Sequence, residues 1–273
     1  MINKLLQAVL NFTPLQIRNQ IKYIPVAKQL QSLMLKYFLN NTEFDATITA
    51  GPAKGLIFPI KLPQDKQIWI GTWELEFAKK LRDSMMPGTI CYDIGGYKGF
   101  YSGIMALGGA SQVYVFEPVP QNAKKIARFI SLNSKLPIQL LQIAVSDKVE
   151  KAQFKIMSED TMGKLNTSEF QVEENSLTEF SVECNTIDNL IEKGLAAPDF
   201  IKIDVEGAEE FVLKGGIKLL KERKPRLFIE IHSKEIGKAC NKILSQFYSE
   251  IIVFETGLPP QNGEPEICHY LVS

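Results

Sequence analysis

Histidine and cysteine are scarce in this chain. There are two histidines, His232 and His269, and four scattered cysteines, Cys91, Cys184, Cys240 and Cys268. No two cysteines form a Cys-x-x-Cys clip, so a structural zinc site is not expected, and no metal site is assigned. Cysteines so placed read as small buried hydrophobes of a reducing compartment. No run approaches the roughly 18 apolar residues of a membrane-spanning helix. The fragment LLQAVL after Lys4 is not followed by a small-residue cleavage site, which speaks against a secretory signal. Net charge is missing too, since 31 Lys+Arg balance 31 Asp+Glu. A neutral chain lacks the bulk basic face that nucleic acid requires, and no nucleic-acid partner is expected. There is no internal repeat and no low-complexity segment. What remains is an ordinary globular composition, 45% apolar and 23% charged, over 273 residues. That length suits one large domain with an appendage.

The balanced charge is unevenly spread. Residues 1–42 hold Lys4, Arg18, Lys22, Lys28 and Lys36 and no acid. Apolar residues recur there at helical spacing (Leu5, Leu6, Val9, Leu10; Leu30, Leu33, Met34, Tyr37, Phe38), broken near Pro14 and Pro25. Residues 1–45 are therefore read as a helical N-terminal appendage. It either packs on the main domain or offers a basic amphipathic surface to a membrane or a partner through residues 1–42. Residues 159–183 lean the other way, with seven acids facing only Lys164. An acidic insertion over 158–184 is read as a solvated hairpin or loop of the kind that overlies active-site mouths.

From residue 88 the pattern alternates. TICYD, QVYVFEP, PIQLLQIAVS, DFIKIDVEG and PRLFIEIH read as strands. FYSGIMALGG, QNAKKIARFISLN, TIDNLIEKG, AEEFVLKGGIKLLKE and SKEIGKACNKILSQFY read as helices between and after them. The expected architecture is α/β: a mostly parallel sheet with helices on both faces and right-handed crossovers. IIVFET and ICHYLVS close the chain as a hairpin, which puts one antiparallel C-terminal strand into the sheet. FDATITA, GLIFPI and QIWIGTWE are read as a β-hairpin lead-in over 46–74, before a core spanning 75–273.

The most informative segment is CYDIGGYKGF. Asp93 ends a strand, Gly95, Gly96 and Gly99 make a turn, and a helix follows at once. Glycines there allow close approach of a ligand to the backbone, and ligands of open α/β sheets bind outside the carboxyl ends of the strands. Glu117 ends the next strand, 24 positions after Asp93, where a carboxylate suits a ribose diol. The dinucleotide fingerprint is incomplete, because Ile94 stands at its first glycine. Asp93 also opposes a pyrophosphate: like charges ~4 Å apart cost about 4 kcal/mol per pair at an effective dielectric of 20. A P-loop lacks its Gly-Lys-Ser/Thr ending. A ligand with ribose and adenine but no phosphate fits better, and S-adenosylmethionine, with its ammonium and sulfonium charges, is such a ligand.

These residues carry a resemblance. YDIGGYKGFYSGIMALGGASQVYVFEPVPQNAKKIARFISLN resembles the core of FkbM-type methyltransferases, with their Asp-x-Gly-Ala-Asn-x-Gly turn and Phe-Glu-Pro block. DFIKIDVEGAEEFVLKG resembles the family's Lys-x-Asp-x-Glu-Gly-x-Glu motif, and AVSD and FIEIH fall where it has similar short blocks. The resemblance covers residues 71–232; Gly96 and Tyr97 depart from the family's Ala-Asn. It implies a Rossmann-like class I methyltransferase fold with a seven-stranded sheet over 46–273, and S-adenosyl-L-methionine as cofactor. Asp93, Gly95, Gly96, Tyr97 and Gly99 would then hold the methionine end, with Glu74 capping it. Glu117 and Pro118 would meet the ribose, and Ala144 and Ser146 the adenine.

The implied reaction is cytoplasmic, or peripheral to a membrane: O-methylation of a hydroxyl on a small molecule or glycan. N-methylation of an amine and a non-catalytic scaffold are the alternatives; an NAD oxidoreductase is disfavoured by Asp93 and Ile94. A base must stand at the ends of the fourth and fifth strands. Asp204, Glu206, Glu230 and His232 are the candidates, with Asp204 also placed at the cofactor. Glu209 reads as helix-start charge, Lys202 as an ion-pair partner, and Trp69 and Trp73 as packing.

Overall fold

The computed structural model describes residues 43–156, 163–165, 178–260 and 267–273, and the statements below concern these residues. Residues 1–42 of the appendage predicted over 1–45, and residues 158–162 and 166–177 of the acidic insertion predicted over 158–184, lie outside them; residues 43–45 are not helical but begin the lead-in strand, which pairs with a second strand from Glu43 onward.

The lead-in is a hairpin of β1 (Glu43–Thr47) and β2 (Ile57–Lys61), with Glu43 opposite Lys61. The third stretch expected to be β is instead a helix, α1 (Lys66–Ile70). Gln67–Ile70 is rich in residues that favour strands, yet Gly71 takes a left-handed C-cap (φ 76) and closes a short helix that buries Ile68 and Trp69. Trp69 packs edge-on against Phe44 at 5.2 Å, while Trp73 is exposed.

After α2 (Leu75–Asp83) the alternating pattern holds. It runs β3 (Ile90–Ile94), α3 (Phe100–Leu107), β4 (Gln112–Phe116), α4 (Pro120–Leu132) and β5 (Ile138–Leu141). The stretch read as one third strand splits: β5 stays in the main sheet and β6 (Ala144–Val145) joins a second one. That sheet is completed by β7 (Glu150–Ile156), β8 (Gly163–Leu165) and β9 (Thr178–Asn185), in the order β6-β9-β7-β8. The end of the predicted acidic loop is thus a strand, β9, paired antiparallel with β7 from Glu150↔Cys184 to Ile156↔Thr178. Val182 and Cys184 alternate with exposed Ser181 and Glu183, the period-2 pattern of a half-buried strand.

The chain continues through α5 (Ile187–Glu192), β10 (Phe200–Ile203), α6 (Glu209–Lys214), α7 (Ile217–Glu222), β11 (Arg226–Ile231), α8 (Lys234–Leu244), β12 (Ile251–Val253) and β13 (Cys268–Val272). The helix expected over 208–222 is broken in two at Gly215–Gly216. A Cβ on Gly215 would fall 2.0 Å from the Ser146 carbonyl oxygen.

The main sheet has seven strands in the order β12-β13-β11-β10-β3-β4-β5. All pairs are parallel except those of β13, which runs antiparallel to β11 and β12. This is the doubly wound sheet with a reversed C-terminal strand that the sequence leads one to expect. The order reverses at β3, so the crevice beyond β3 and β10 is the switch point. One face is filled by Phe58, Phe77, Leu81, Phe100, Ile104, Phe129 and Phe228. The other is filled by Tyr92, Ile94, Ile201, Ile203, Leu227, Ile229 and Cys240. Asn133 ties the hairpin to the end of α4: its side chain accepts from the Ile57 amide and donates to the Ile57 carbonyl.

Candidate active site

Sheet register decides which side chains meet. Asp93 of β3 is the cross-strand partner of Lys202, and Glu230 of β11 is the partner of His269 of β13. Period-2 alternation puts Asp93, Lys202, Asp204, Glu230, His232 and His269 on one side of the sheet at its carboxyl end. β10 stops at Ile203, so Asp204 and Glu206 lie in the following loop rather than on the strand as expected. Glu206 sits in the left-handed region (φ 53), and the loop still brings both acids to the histidine.

The glycine turn is built by contact. Gly95 and Gly96 amides both donate to the Phe116 carbonyl. Gly95 has φ 84, and a Cβ there would fall 1.7 Å from the Asp204 carbonyl oxygen. A Cβ on Gly96 would stand 2.1 Å from Val115, which accounts for glycine where the resembled family has alanine. Tyr97 adopts φ 48 and is largely exposed, with Lys98 and Lys125 ammonium groups 5.0 and 5.4 Å from its ring. Its amide donates to Glu117 Oε2, and the Val119 amide donates to Oε1. Each Glu117 oxygen keeps acceptor capacity for a hydroxyl. Burial pushes this carboxyl up, and the two amides pull it back toward the ionised form.

Asp93 is fully buried. Ser102 donates to its Oδ2, while Oδ1 has no hydrogen-bond partner and lies 3.8 Å from Lys202. Burial raises its carboxyl; Lys202 and Ser102 oppose that. Lys202 is buried too. Its ammonium is 2.9 Å from Asp204 Oδ2, 3.3 Å from the Gly95 carbonyl and 5.1 Å from the Tyr101 ring centre. Burial would lower its pKa, but Asp204 and then Asp93 hold it well above the ordinary lysine value. The expected ion-pair role is the observed one. Tyr101 donates to Glu74, which opens α2 from a left-handed position (φ 37).

The candidates for chemistry converge on His232, whose side chain is 9% exposed. Its Nε2 stands 3.7 Å from Asp204 Oδ1, 3.5 Å from Glu206 Oε2 and 3.7 Å from Glu230 Oε1. Its Nδ1 is 2.8 Å from Glu209 Oε1. Glu209 opens α6, as the helix-start reading expects, and is fully buried against the histidine. Burial alone would depress the His232 pKa; Glu209, then Asp204 and Glu206, raise it to about 9.

Sequence reasoning passed over His269 and Glu255. His269 Nδ1 meets Glu255 Oε1 at 2.6 Å, its Nε2 is 3.7 Å from Glu230 Oε2, and its ring lies 4.1 Å from that of Phe77. The signal was the C-terminal hairpin: once its register is known, His269 falls opposite Glu230. Pro118 is half-buried beside Glu117. Ala144 packs with Val119, Val182, Cys184 and Ala208, an apolar cluster that joins the Glu117 loop to the Asp204–Glu209 loop. Ser146 is buried, and its amide donates to the Asn185 carbonyl.

The Methyltransferase FkbM domain profile matches residues 93–255, more than half of the chain. The chain belongs to this family. No curated protein matches the sequence. Among solved structures, the FkbM methyltransferase of Methylobacillus flagellatus KT is similar at 19% identity over 71% of this chain, with a TM-score of 0.47. This chain spans 50% of that protein's length. A precorrin-6y C5,15-methyltransferase of Geobacter metallireducens is similar at 10% identity over 72% of this chain and 87% of its own, with a TM-score of 0.44. Trm5b of Pyrococcus abyssi shows 11% identity over 85% of this chain and 55% of its own, with a TM-score of 0.45. The FkbM-domain match covers the glycine turn, Glu117, the Asp204–Glu209 loop and the Glu230–His232 strand end in one span. Among the described residues no helix is long and apolar enough to cross a membrane.

Proposed function

We propose that this FkbM-family protein is an S-adenosylmethionine-dependent methyltransferase that acts on a hydroxyl of a small molecule or glycan. The observation that carries the reading is the acid-lined crevice at the switch point. Glu117, Asp93 and Asp204 reach it from the ends of three adjacent parallel strands, β4, β3 and β10. The residues fit this cofactor. Asp93 Oδ1 is a buried acceptor without a hydrogen-bond partner, suited to a cationic group. Glu117 is held by two amides with acceptor capacity to spare for a diol. Lys202, the buried cation nearby, is already engaged by carboxylates, so nothing there invites a pyrophosphate.

Held at this crevice by Asp93, Glu117 and the glycine turn, the cofactor would supply an electrophilic methyl group to the acceptor oxygen and would leave as S-adenosylhomocysteine; a carboxylate of this chain would take the hydroxyl proton. The chain's own work is orientation. Lys202 fixes Asp204 through Oδ2, which leaves Oδ1 turned toward His232 and able to accept a hydroxyl hydrogen bond. Glu206 and Glu230 flank the same space. His232, with its pKa near 9, carries a proton at neutral pH, so the accepting group in this reading is a carboxylate, first of all Asp204. N-methylation is a second reading, favoured by the three carboxylates at the mouth, which would attract an ammonium. The four described cysteines are free and buried, in keeping with a cytoplasmic setting.

Calorimetric titration with S-adenosylhomocysteine and with NADH tests the cofactor. One S-adenosylhomocysteine site per chain is expected, and no NADH site. Asp93→Ala or Glu117→Ala should weaken it by about 1.5–3 kcal/mol, roughly 10–100-fold. Wild-type affinity in both variants would sink the assignment.

A further inference from the structure

We propose that Asp204, Glu230 and His232 form a divalent-cation site beside the cofactor crevice. One ligand atom from each, Asp204 and Glu230 oxygens and His232 Nε2, lies within 4.8 Å of the others. The histidine is presented as a metal ligand is. Its side chain is nine-tenths buried, and its Nδ1 is tied to the buried Glu209 carboxylate, which fixes Nε2 as the edge facing the acids. Carboxylate–histidine pairs of this kind orient imidazole ligands at metal centres. Nε2 itself is 3.7 Å from both Asp204 and Glu230, beyond the roughly 2.7–3.2 Å of a good N–H···O bond. The two carboxylates are oriented from behind as well. Lys202 holds Asp204 Oδ2, which leaves Oδ1 for the site, and His269 lies against Glu230 Oε2, which leaves Oε1. The loop after β10 and the end of β11 thus aim two oxygens and one nitrogen at a single point, and the start of α6 orients the nitrogen through Glu209.

Metal–ligand bonds of ~2.1 Å require ligand atoms roughly 3.0–3.5 Å apart. Binding therefore draws in Asp204 and Glu230, whose side chains are 24% and 23% exposed and have room to move. Two carboxylates and one imidazole select a first-row divalent ion such as Mn2+ or Zn2+ over Ca2+, which prefers oxygen alone. Three protein ligands leave positions open for the acceptor. On the methyltransferase reading above, the fitting acceptor is one with two neighbouring oxygens, a vicinal diol or a hydroxy acid, held by the ion as a Lewis acid. The ion site itself does not depend on that reading.

The full chain is stripped with chelator, desalted and titrated with MnCl2, followed by loss of the free Mn2+ paramagnetic resonance signal. One site per chain is expected. Glu230→Gln and His232→Gln should weaken it at least ~10-fold, and Glu209→Gln, which reaches the site only through His232, by about 10–100-fold. Glu76→Gln, on the exposed face of α2, should leave it unchanged. Since the chain has two histidines, proton resonance gives a readout without variants: substoichiometric Mn2+ should broaden both ring signals. Absence of a wild-type site, no ring broadening, or equal affinity in Glu230→Gln and His232→Gln overturns the proposal. S-adenosylhomocysteine titrated into the stripped protein separates the two ideas. Cofactor binding without Mn2+ binding removes only the ion site, and Mn2+ binding without cofactor binding removes only the methyltransferase reading.

Discussion

The Lys202 ammonium stands 2.9 Å from the Asp204 carboxylate, at the point where β10 gives way to the loop that carries the site. Lys202 and Asp93 are buried, so this pair and the 3.8 Å approach to Asp93 take the place of water for those two groups, while Asp204 stays partly exposed. Removing one member of a buried network leaves uncompensated charge and typically costs about 3–5 kcal/mol. Lys202→Met keeps the bulk and removes the charge. Chemical denaturation of this variant is expected to show a loss of that order, with S-adenosylhomocysteine affinity reduced alongside. A variant as stable as the wild type would mean that Asp93 is protonated in the fold and needs no counter-charge.

Gly95 and Gly55 separate space from conformation. Both have positive φ, 84 and 98, so alanine is strained at either. A Cβ at Gly55 meets nothing within 4 Å, whereas at Gly95 it falls 1.7 Å from the Asp204 carbonyl oxygen. Gly55→Ala is expected to cost about 1–2 kcal/mol and to keep cofactor binding. Gly95→Ala must push the β3 turn and the Asp204 loop apart, and should abolish cofactor binding even where the protein still folds. Thermal melts and calorimetry on the two variants decide it; similar losses in both would show that the close approach is not needed.

Much of this was legible from local pattern. The β3 turn, Glu117 and the DVEGAE segment announce themselves because a glycine turn must follow a strand within a few residues. The alternation from Ile90 to Leu244 was legible for the same reason. What escaped depends on register or burial. Gln67–Ile70 has the β-branched and aromatic composition of a strand, but one αL glycine closes it as a helix. Glu209 looks like a helix-start acid, and only the packing of α6 against β11 turns it inward to His232. His269 becomes part of the site through the β11–β13 pairing, 39 positions from Glu230 along the chain. The raised His232 pKa was not legible because the carboxylates around the ring come from a loop (Asp204, Glu206), a helix start (Glu209) and a strand (Glu230), and no single segment encodes their joint approach.

Tyr97 occupies a left-handed position at φ 48, a conformation that favours glycine or asparagine. Its ring, 40% exposed, is held by the Lys98 and Lys125 ammonium groups, contacts worth about 0.5–1 kcal/mol each at exposed sites. Relief of left-handed strain is worth roughly 1–2 kcal/mol, so the terms nearly cancel. Tyr97→Asn should therefore leave stability within about 1 kcal/mol of wild type and preserve the amide bond to Glu117 Oε2. Cofactor affinity should also be kept. A large loss of affinity would instead assign the ring itself to the cofactor or the acceptor.

His232 makes the stability of the cation-free protein depend on pH. Its folded pKa, about 9, exceeds the ordinary value of 6.5 because Glu209, Asp204 and Glu206 outweigh the effect of burial. The folded state thus binds this proton more tightly than the unfolded chain. A group with a raised folded pKa contributes fully below its unfolded pKa, and its contribution is lost as pH rises through the folded one. The window is therefore 6.5 to about 9, and the contribution is roughly 3 kcal/mol. His269 is raised in the same direction: burial lowers it, and Glu230 and Glu255 more than restore it. With chelator present, the denaturation midpoint is expected to fall steadily from pH 6.5 to 9.5. In His232→Gln most of that slope should disappear, leaving the smaller part due to His269. A wild-type midpoint that stays level across this range would mean that the imidazole is neutral in the fold, and would return His232 to the role of general base.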